Sequence, residues 1–507
     1  MSSVLVREAS VLDEIDHPIL SAASPEAVRR LIEGGEHLTL ERGTVLLQSG
    51  LPASSVNLVL SGYVRLYTTS DDQRQLTTQL LTAPATFGDM EALANEASVE
   101  HVEALTDVQT ITLPVQAYTQ FLRGSPGAAR AALYDFAARF CVTSRFEVAT
   151  LFDVPVRAAT FVLTLLDLFG QPVMDGFKIR LPLTQADLAT HLGVNVRSIT
   201  RTLKDWKNQN IVSFRKGWLV VHDRSALEAL SQDLHQSYHY RAGTPLSDQF
   251  LSRPVGRGPE VGPLSADART RLRKNPIFAK ASEDQLAALL VGARLLNLQP
   301  RDLLFRAGDA PDHVDFLIDG HIRVFHHHSQ GREVTVKHLQ APSCTGDIRL
   351  INGTRHGENG EALLPTRAVR VSADRFRAFI ENKSEVCFRF VYDVAGRCCM
   401  AKRHQVSQLF NADTRIASLL LAYLEAYGKP LDDGFQIRHA LTQADIAREL
   451  GVNIRSVNRA VQCWKEDGVL SLHKGWVVVH EPAKLAELAG SLRFNLGYRS
   501  RDPSDIG

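Results

Sequence analysis

The stretch "LTQADLATHLGVNVRSITRTLKDWKNQNIV" spans residues 183–212, and "LTQADIARELGVNIRSVNRAVQCWKEDGVL" spans residues 441–470. The two stretches are similar throughout and begin 258 residues apart. In each, short apolar-periodic segments flank a glycine, which is typical of two short helices joined by a turn. The chain therefore carries one local structure twice.

The similarity extends far beyond this stretch. With the same offset, "SGYVRLY" (61–67) aligns with "DGHIRVF" (319–325), and "RKGWLVVH" (215–222) aligns with "HKGWVVVH" (473–480). Each copy is about 225 residues long, too long for the repeat of a solenoid. The sequence thus predicts two tandem copies of a multidomain unit, called here the first and the second repeat.

The quoted stretch contains the signals of helix ends. Thr184 followed by Asp187 predicts an N-cap with a capping carboxylate for a helix over Gln185–Leu192. Gly193 suits the left-handed residue that ends such a helix, and Asn195 can cap a second one. The first repeat is therefore expected to place two helices around a tight turn here.

The second helix is expected to be amphipathic. Its predicted inner face is formed by Val196, Ile199, Leu203 and Trp206, and in the second repeat by Ile454, Val457, Val461 and Trp464. Arg197, Arg201 and Lys204 fall on the opposite face, as do Arg455 and Arg459 in the second repeat. The bland alternative is the solvated charged face of a packing helix.

Two helices around a glycine turn, with arginines on the outer face of the second, predict a helix-turn-helix. The hairpin around Lys216-Gly217 would form a wing. An exposed guanidinium can pair with guanine or with a phosphate. The predicted contacts to DNA are Thr184, Gln185, Asn195, Arg197, Ser198, Thr200, Arg201 and Lys216, and then Thr442, Gln443, Asn453, Arg455, Ser456, Asn458, Arg459 and Lys474.

The rest of each repeat has a different pattern. Residues 36–115 alternate apolar and polar positions between turn residues, which predicts a small antiparallel roll, and residues 128–152 lack Pro and Gly and predict one long helix. The Pro- and Gly-rich residues 241–274 predict a flexible tether. The expected fold is α+β, with rolls at 17–125 and 275–383, long helices at 126–152 and 384–410, and winged helix-turn-helix domains at 153–240 and 411–499.

This order of domains resembles two fused copies of the Crp/Fnr superfamily of bacterial transcription regulators. The most specific parts are "LTQADLATHLGVNVRSITR", its "GW" wing and the pattern "SGYVRLY…FGD". The resemblance implies a cyclic-nucleotide-binding-like β-roll, a dimerisation helix and a winged helix-turn-helix in each repeat. It also implies binding to double-stranded DNA at promoters and contact with RNA polymerase.

The recognition helix departs from the family pattern. Many members carry a glutamate that reads cytosine where this chain has Arg197 and Arg455, while the final arginine of the pattern is kept. The half-site is therefore expected to differ from the common TGTGA-type word. Thr200 in the first repeat aligns with Asn458 in the second, so the two half-sites are predicted to be similar but not identical.

The candidate effector residues in the rolls are few. The resemblance implies that Gly88-Asp89 and Gly346-Asp347 stand where members that bind nucleotides place a Gly-Glu pair on the ribose. The Arg-Ser pair that grips the cyclic phosphate is replaced in both repeats, and only the second offers a nearby cation, Arg355. Control by ordinary cyclic AMP is therefore not expected, no cofactor is assigned, and a small anionic effector remains a candidate in the second repeat alone.

Composition excludes several other classes. The chain has 44% apolar and 22% charged residues with a formal net charge of +1, and it has no apolar run near the ~20 residues that span a bilayer. The six cysteines show no metal-ligand spacing, and His326–His328 are expected in an exposed hairpin rather than a metal site. No motif of an enzyme appears. A cytoplasmic DNA-binding protein is expected.

Two repeats in one chain provide both halves of a dimer that would read a quasi-palindromic site. The sequence therefore favours a single-chain pseudo-dimer with its two long helices paired, and Phe140 set against the smaller Cys398. A conventional or swapped homodimer with four reading helices is the rival assembly. The alternative function is a tandem cyclic-nucleotide-binding regulatory subunit that controls a partner enzyme, a class that has paired rolls but no recognition helices.

Overall fold

The computed structural model describes most of the 507 residues. The described residues are 17–70, 75–149, 152–181, 183–215, 218–231, 239–240, 259–327, 333–381, 384–407, 409–438, 441–450, 452–473, 476–490 and 492. The chain divides into two compact units. Of the described residues, the first unit contains those within 17–240 and 377–399, and the second contains those within 259–376 and 400–492.

In the first repeat the helices are α1 Pro18–Ser21, α2 Pro25–Glu33, α3 Asp89–Ala94, α4 Val115–Gly124, α5 Pro126–Ala149, α6 Val154–Phe169, α7 Gln185–Leu192, α8 Val196–Asn208 and α9 Arg224–Ser231. The strands are β1 Glu36–Leu40, β2 Val45–Leu47, β3 Ser55–Ser61, β4 Tyr63–Thr69, β5 Gln75–Thr82, β6 Ala85–Phe87, β7 His101–Ala104, β8 Val108–Pro114, β9 Gly170–Val173, β10 Gly176–Ile179, β11 Val212–Arg215, β12 Trp218–Val221 and β13 His239–Tyr240.

After the first repeat the strands continue as β14 Glu260–Pro263, β15 Arg294–Leu298, β16 Leu303–Phe305, β17 His313–Asp319, β18 His321–His327, β19 Glu333–Gln340, β20 Ser343–Thr345, β21 Asn359–Ala362, β22 Thr366–Ser372, β23 Gly428–Leu431, β24 Gly434–Ile437, β25 Leu470–His473 and β26 Trp476–Val479. The helices are α10 Ala266–Arg273, α11 Glu283–Leu289, α12 Asp347–Asn352, α13 Ala373–Glu381, α14 Ser384–Ser407, α15 Ala412–Tyr427, α16 Gln443–Leu450, α17 Ile454–Glu466 and α18 Pro482–Ala489.

Each roll consists of two small sheets. The first roll has the strand orders β1-β8-β3-β6 and β13-β5-β4-β7-β2, and the second has β14-β15-β22-β17-β20 and β16-β21-β18-β19. The alternation of apolar residues predicted these strands because inward side chains such as Val64 and Leu66 of β4 are buried. Val59, Phe87 and Val108 belong to the same core.

Each winged helix-turn-helix domain, called here a reading domain, consists of a helical core and a four-stranded sheet. The strand orders are β11-β12-β10-β9 in the first repeat and β23-β24-β26-β25 in the second. One arginine joins the helices of each core, half-buried in the first repeat and buried in the second. Arg157 of α6 donates to the Leu192 carbonyl at the end of α7, and Arg415 of α15 donates to the Leu450 carbonyl at the end of α16. These bonds satisfy carbonyl groups that a helix end leaves without a partner.

The predicted tether contains structure in its second half. Val261 lies on β14, which pairs in antiparallel register with β15 of the second roll, and α10 begins after the N-cap Ser265. Ala268 and Leu272 of α10 are buried. Two apolar residues four positions apart are too few to reveal a helix among Pro, Gly and Arg, so the sequence expectation of a tether over 241–274 was wrong for residues 260–273.

The two long helices meet inside the first compact unit. Cys398 Sγ of α14 lies 3.7 Å from the Phe136 carbonyl oxygen of α5. Arg123, at the end of α4, stacks on the ring of Phe388 with 4.8 Å between guanidinium carbon and ring centroid. Residues 377–399 of the second repeat therefore pack with the first repeat.

Candidate DNA interface and its contact with the rolls

The reading domain of the first repeat has the local geometry that the sequence predicts. The Asp187 amide donates to Thr184 Oγ1 at 3.1 Å while Asp187 Oδ2 accepts from the Thr184 amide at 2.7 Å, which completes a capping box. Gly193 takes a φ of +60°, where a side chain would be strained. The Arg197 amide donates to Asn195 Oδ1 at 2.8 Å and so starts α8 at the predicted place.

The recognition helix α8 separates a buried face from an exposed one. Ile199 and Trp206 are buried, whereas Arg197, Thr200 and Arg201 are exposed. Thr200 Oγ1 donates to Gln185 Oε1 at 2.7 Å and therefore fixes the orientation of that glutamine at the start of α7. The exposed side can present cations and amides to a groove of DNA.

The recognition helix α17 repeats this arrangement with one difference. Arg455, Asn458 and Arg459 are exposed, while Val457 and Trp464 are buried. Arg459 forms an ion pair of 3.4 Å with Asp413 at the start of α15, where the first repeat has Pro155. Arg201, the matched arginine of the first repeat, has no ion pair among the described residues. Binding of DNA by Arg459 would therefore have to break an ion pair, whereas binding by Arg201 would not.

The remaining predicted contacts lie nearby. Ser198 and Ser456 are half-buried in the first turns of α8 and α17, and Asn453 accepts from the Arg455 amide at 2.9 Å. Thr442 forms the N-cap interactions of α16 with Asp445, ahead of a half-buried Gln443. Lys216 and Lys474 lie outside the described residues.

Two side chains of the predicted inner face are exposed. Val196 and Ile454 each have 45% of their surface accessible, because the first turn of each recognition helix projects beyond the domain core. The periodicity alone could not show this, since the helix keeps its spacing where the core ends. An exposed aliphatic group beside Arg197 or Arg455 can contact the methyl group of thymine.

The wing of the first repeat is held by Asp175, in the turn between β9 and β10. Arg215 donates to Asp175 Oδ1 at 3.0 Å, and the Asp175 carbonyl oxygen lies 2.7 Å from His222 Nδ1. The ammonium group of Lys178 lies 4.0 Å from the centre of the Trp218 ring. These contacts fix the strands on both sides of the wing turn.

In the first repeat a roll arginine reaches the reading domain through a threonine. Arg65 Nε donates to Thr77 Oγ1 at 2.8 Å, and that oxygen lies 2.7 Å from His191 Nδ1 on α7. Arg65, Thr77 and His191, all buried, are called here the first latch. Beside them Tyr63 packs on Phe169, with 4.4 Å between ring centroids.

In the second repeat the same arginine and threonine meet a carboxylate. Arg323 Nε donates to Thr335 Oγ1 at 2.7 Å, and Thr335 Oγ1 donates to Glu449 Oε2 at 3.1 Å. Glu449 stands on α16 where α7 has His191, and its other oxygen bonds to His338 Nε2. A carboxylate thus lies among an arginine, a histidine and a hydroxyl.

The chain of polar groups continues toward the surface. His338 Nδ1 lies 2.9 Å from His321 Nε2, and His321 Nδ1 bonds to the Tyr427 hydroxyl. Gln340 Nε2 donates to the same hydroxyl at 3.4 Å. The second latch is defined by His321, Arg323, Thr335, His338, Tyr427 and Glu449.

Both latch residues on the reading domains have depressed pKa values, for different reasons. Burial, helped by Arg65, lowers the pKa of His191 to about 3, so this histidine is neutral near pH 7. Burial by itself would raise the pKa of Glu449, but His338, Arg323 and Thr335 outweigh it and lower the value to about 2. The first latch is therefore neutral at its histidine, and the second holds a carboxylate anion.

The predicted effector residue Asp89 is used inside the protein. It is fully buried, forms an ion pair with Arg139 of the long helix α5 and accepts from Thr86 Oγ1 at 2.7 Å. Gly88, with a φ of +78°, caps α3 just before it. The resemblance aligns Asp89 with the residue that contacts the ribose in nucleotide-binding members; in this chain the carboxylate has a partner on the long helix.

In the second roll Gly346 keeps a φ of +88°, and Asp347 is fully buried with Cys344 Sγ at 3.5 Å from its Oδ2. Arg355 is exposed and donates to the Gly308 carbonyl oxygen at 3.0 Å. The cation that sequence reasoning chose therefore lies on the outside of the roll.

Sequence reasoning missed a group of buried ionisable residues in the second roll. Arg349 and Glu358 form an ion pair of 2.6 Å, and Lys337, His326 and His356 are buried with them. Burial lowers the pKa values of His326 and His356 to about 4. The matched residues of the first roll are Glu91, Glu100, Gln79, Thr68 and Ser98, which include no cation.

The histidine triplet differs from its expectation. His326 of β18 is buried at 2% exposure rather than set in an exposed hairpin, because its side chain points into the roll. His328 lies outside the described residues. Five cysteines are buried and Cys463 is exposed, all as free thiols, and among the described residues no group of three or more ligand side chains could hold a metal.

Two β-rolls, each followed by a long helix and a winged helix-turn-helix with exposed arginines, define a class of DNA-binding protein. The cyclic nucleotide-binding domain family matches residues 37–125 and 295–383, and the Crp-like helix-turn-helix domain family matches residues 156–230 and 414–488. The chain belongs to the Crp/Fnr superfamily of transcription regulators, with two copies in tandem.

Relatives and solved structures carry related descriptions. The global nitrogen regulator of Synechocystis sp. is 28% identical over 192 residues, which are 37% of this chain and 85% of the relative. The CRP-like cAMP-activated global transcriptional regulator of Mycobacterium tuberculosis is 21% identical over 43% of this chain and 98% of its own length. A solved crp/fnr-family regulator of Eubacterium rectale shares 21% identity over 43% of this chain and 98% of that chain, with a TM-score of 0.37.

The chain is a transcription regulator of the Crp/Fnr type with two DNA-binding helix-turn-helix domains. Regulators with a Crp-like helix-turn-helix bind DNA and typically contact RNA polymerase. The alternative of a regulatory subunit for a partner enzyme is not favoured, because each roll is followed by a reading domain. Among the described residues, no helix has the length and apolarity needed to cross a membrane.

Proposed function

We propose that one chain acts as a pseudo-dimer that binds a quasi-palindromic promoter site with its two recognition helices. The observation that carries this proposal is the packing of residues 377–399 with the first repeat, including the approach of Cys398 to Phe136. A family dimer pairs the long helices of two chains; here both helices belong to one chain. Covalent linkage makes such pairing independent of protein concentration.

The two half-sites have similar but not identical base sequences. Arg197 and Arg455 read the major groove at matched positions, and a bidentate arginine favours guanine. Thr200 orients Gln185 through its hydroxyl, whereas Asn458 brings an amide that can bond to adenine. Val196 and Ile454 add contacts to thymine methyl groups. The reading domains are oriented by contacts to DNA phosphates, which are made by Gln443, Ser198, Ser456 and the lysines of the two wings.

The test combines the molar mass of the protein in solution with a footprint of the DNA segment that it protects. Light scattering should give one species at the 56.0 kDa chain mass across a dilution series, and the footprint should cover two half-sites about one helical turn apart. A species of twice the chain mass that survives dilution would reject the pseudo-dimer in favour of the homodimer. A second test uses a chain with Arg455→Ala: loss of protection in one half-site alone is expected.

A small anionic effector in the second roll is a second candidate function. The specific observation is that Arg349 and Lys337 are buried in the interior of the roll together with Glu358, His326 and His356. The Nε2 atom of His356 has no hydrogen-bond partner among the described residues. The first roll has glutamates at 91 and 100 and would repel the same ligand. Calorimetry with inorganic phosphate, on the full chain and on Arg349→Gln, tests this site; equal affinities would refute it.

The same proposal places the protein in the cytoplasm, as a non-enzymatic regulator whose family contacts RNA polymerase. It excludes ordinary control by cyclic AMP, because neither Ser98-Val99 nor His356-Gly357 supplies the arginine and serine that grip a cyclic phosphate. Titration of the full chain with cyclic AMP should leave its affinity for DNA unchanged. A cyclic-AMP-dependent rise in affinity would contradict this part of the proposal.

A further inference from the structure

The second latch ends at a groove on the surface of the second repeat. The groove has a volume of about 610 Å³ and lies between α10, the turn at Gly320, the turn at Pro342 and the end of α15 at Tyr427. This volume falls within the ~300–1,000 Å³ of small-molecule sites. The groove is separate from the interior of the roll, where Arg349 and Glu358 lie.

The wall of the groove is also part of the latch. His321, Gln340 and Tyr427 line it, and the Tyr427 hydroxyl bonds to both of the others. From His321 the bonds continue through His338 to Glu449 on α16 of the reading domain. A molecule that forms a hydrogen bond with Tyr427 or His321 would compete with these internal hydrogen bonds. It would thereby alter the contact between the second roll and its reading domain.

The charges around the groove favour an anion. Asp267 accepts from Arg271 at 3.1 Å and from Arg367 at 3.0 Å, and Arg367 also reaches Asp319 at 3.4 Å. Lys274, which also lines the groove, has no ion pair among the described residues. The lining thus holds two cations and two carboxylates; Arg367, outside the lining, pairs with both carboxylates, which leaves Lys274 as the lining cation available to an anion.

The groove also offers apolar surface. Ile318, Pro342 and Leu364 contribute to the lining beside the ring of Tyr427. A bare inorganic ion would leave this surface in contact with water, whereas an organic anion would cover it. The favoured chemistry is an anionic group attached to a small apolar or ring-bearing body.

We propose that this groove is an effector site for a small organic anion, and that the bound anion changes the position of the second reading head through Tyr427, His321, His338 and Glu449. The coupling rests on the proposed DNA-binding function; the binding itself does not. The first repeat lacks this polar wall: Tyr63, Thr82 and Phe169 stand at the positions of His321, Gln340 and Tyr427. One repeat alone would therefore respond.

Calorimetry on the full chain carrying Arg349→Gln tests the binding, because this substitution removes a cation of the roll interior, where phosphate is also proposed to bind, and lies outside the groove. Phenyl phosphate and benzoate are the probes; phenol and inorganic phosphate are controls that lack either the anion or the apolar body. At least one organic anion should bind more tightly than both controls, and the Arg271→Ala/Lys274→Ala chain should bind it roughly tenfold or more weakly, as expected for lost charge-assisted contacts. Arg269→Ala, an exposed arginine of the same helix outside the groove, should bind as the unchanged chain does.

Failure of both organic anions to bind, or unchanged affinity in the double variant, would overturn the site. The coupling is tested by titrating duplex DNA with and without the bound probe. The probe should change the affinity of the unchanged chain and have no effect in Glu449→Gln, which leaves the groove intact. An unresponsive affinity in the unchanged chain overturns the coupling. If the chain binds no DNA, the proposed function is refuted. Calorimetry would still show whether the groove binds an organic anion.

Discussion

The roll of each repeat contacts its own reading head at matched positions, with different chemistry. In the first repeat the contact uses an apolar ring pair and a neutral histidine; in the second it uses histidines, a tyrosine hydroxyl and a buried carboxylate. The arginine and the threonine are the same in both. The matched pairs that differ are Tyr63 and His321, Leu80 and His338, Phe169 and Tyr427, and His191 and Glu449.

We expect these four changes to make the two reading domains respond to different conditions. In the first repeat Arg65 reaches the reading domain through Thr77 and a neutral histidine, so this contact depends mainly on packing and on uncharged hydrogen-bond partners. A buried carboxylate between His338 and Arg323 is sensitive to any group that alters those partners. Matched substitutions in the two contacts should therefore have unequal effects.

The largest effect is expected from Glu449→Ala. The substitution removes the carboxylate that His338 and Thr335 contact, while Arg323 keeps its ion pairs with Glu333 and Glu361. Breaking a buried ion pair costs on the order of 3–5 kcal/mol, whereas His191→Ala removes a neutral bond and costs about 1–3 kcal/mol. Hydrogen exchange of the amides of α16 and α7 measures each loss locally. Glu449→Gln, which keeps the shape, is the control, and equal losses in the two repeats would contradict the ionic description of the second latch.

The next effect concerns DNA. Arg197→Ala and Arg455→Ala should each weaken specific binding by roughly 1–3 kcal/mol, because each removes one base contact. Lys207→Ala, an exposed cation near the end of α8, is the matched control and should have a smaller effect that is the same for all sequences. Binding by fluorescence anisotropy at several salt concentrations separates the two. If both arginine variants bind as the unchanged chain, the assigned reading face is wrong.

The first latch should weaken in mild acid. The pKa of His191 is about 3 in the folded chain and near 6.5 in an unfolded one, so the unfolded state binds the proton first. The stability contributed by neutral His191 is complete above about pH 6.5 and falls as the pH drops toward 3. His191→Gln should remove this part of the pH dependence, measured as exchange protection of α7 between pH 7 and 5. The same slope in both proteins would contradict it.

The contribution of Glu449 to stability should not depend on pH in the range where that of His191 does. Its folded pKa of about 2 lies below the ordinary value of 4.5, so its contribution is complete above pH 4.5 and is lost only as the pH falls toward 2. Between pH 7 and 5 the contribution of Glu449 should therefore stay constant, and Glu449→Gln should not alter the pH slope of α16 protection in that range.

The smallest effect is expected at Asp413. Its pair with Arg459 is largely exposed and is worth no more than about 1 kcal/mol. Asp413→Ala should release the arginine and raise affinity for the second half-site slightly, most clearly at low salt. Anisotropy with a duplex containing that half-site measures the change, and Asp432→Ala, a carboxylate outside the recognition helix, is the control. Lower affinity after Asp413→Ala would show that the pair helps to position Arg459.

Local structure was predictable from sequence because its causes are local. The helix Gln185–Leu192, its capping box and the left-handed Gly193 follow from residues within ten positions of one another. The latches could not be foreseen, since Thr335 and Glu449 are 114 positions apart and nothing in either neighbourhood indicates the pairing. The same holds for the ion pair of Asp89 with Arg139. The exposure of Val196 depends on where the domain core ends, which periodicity does not contain.

The short strand β13 determines which part of the first repeat holds the connector. After the reading domain the chain returns to the roll, where His239 and Tyr240 run parallel to Leu80 and Leu81 of β5. On the other side of the connector, β14 adds to the edge of the second roll. The described residues on both sides of the connector are therefore hydrogen-bonded to a sheet edge of their own roll, so that the rolls, and not the recognition helices, hold its two ends.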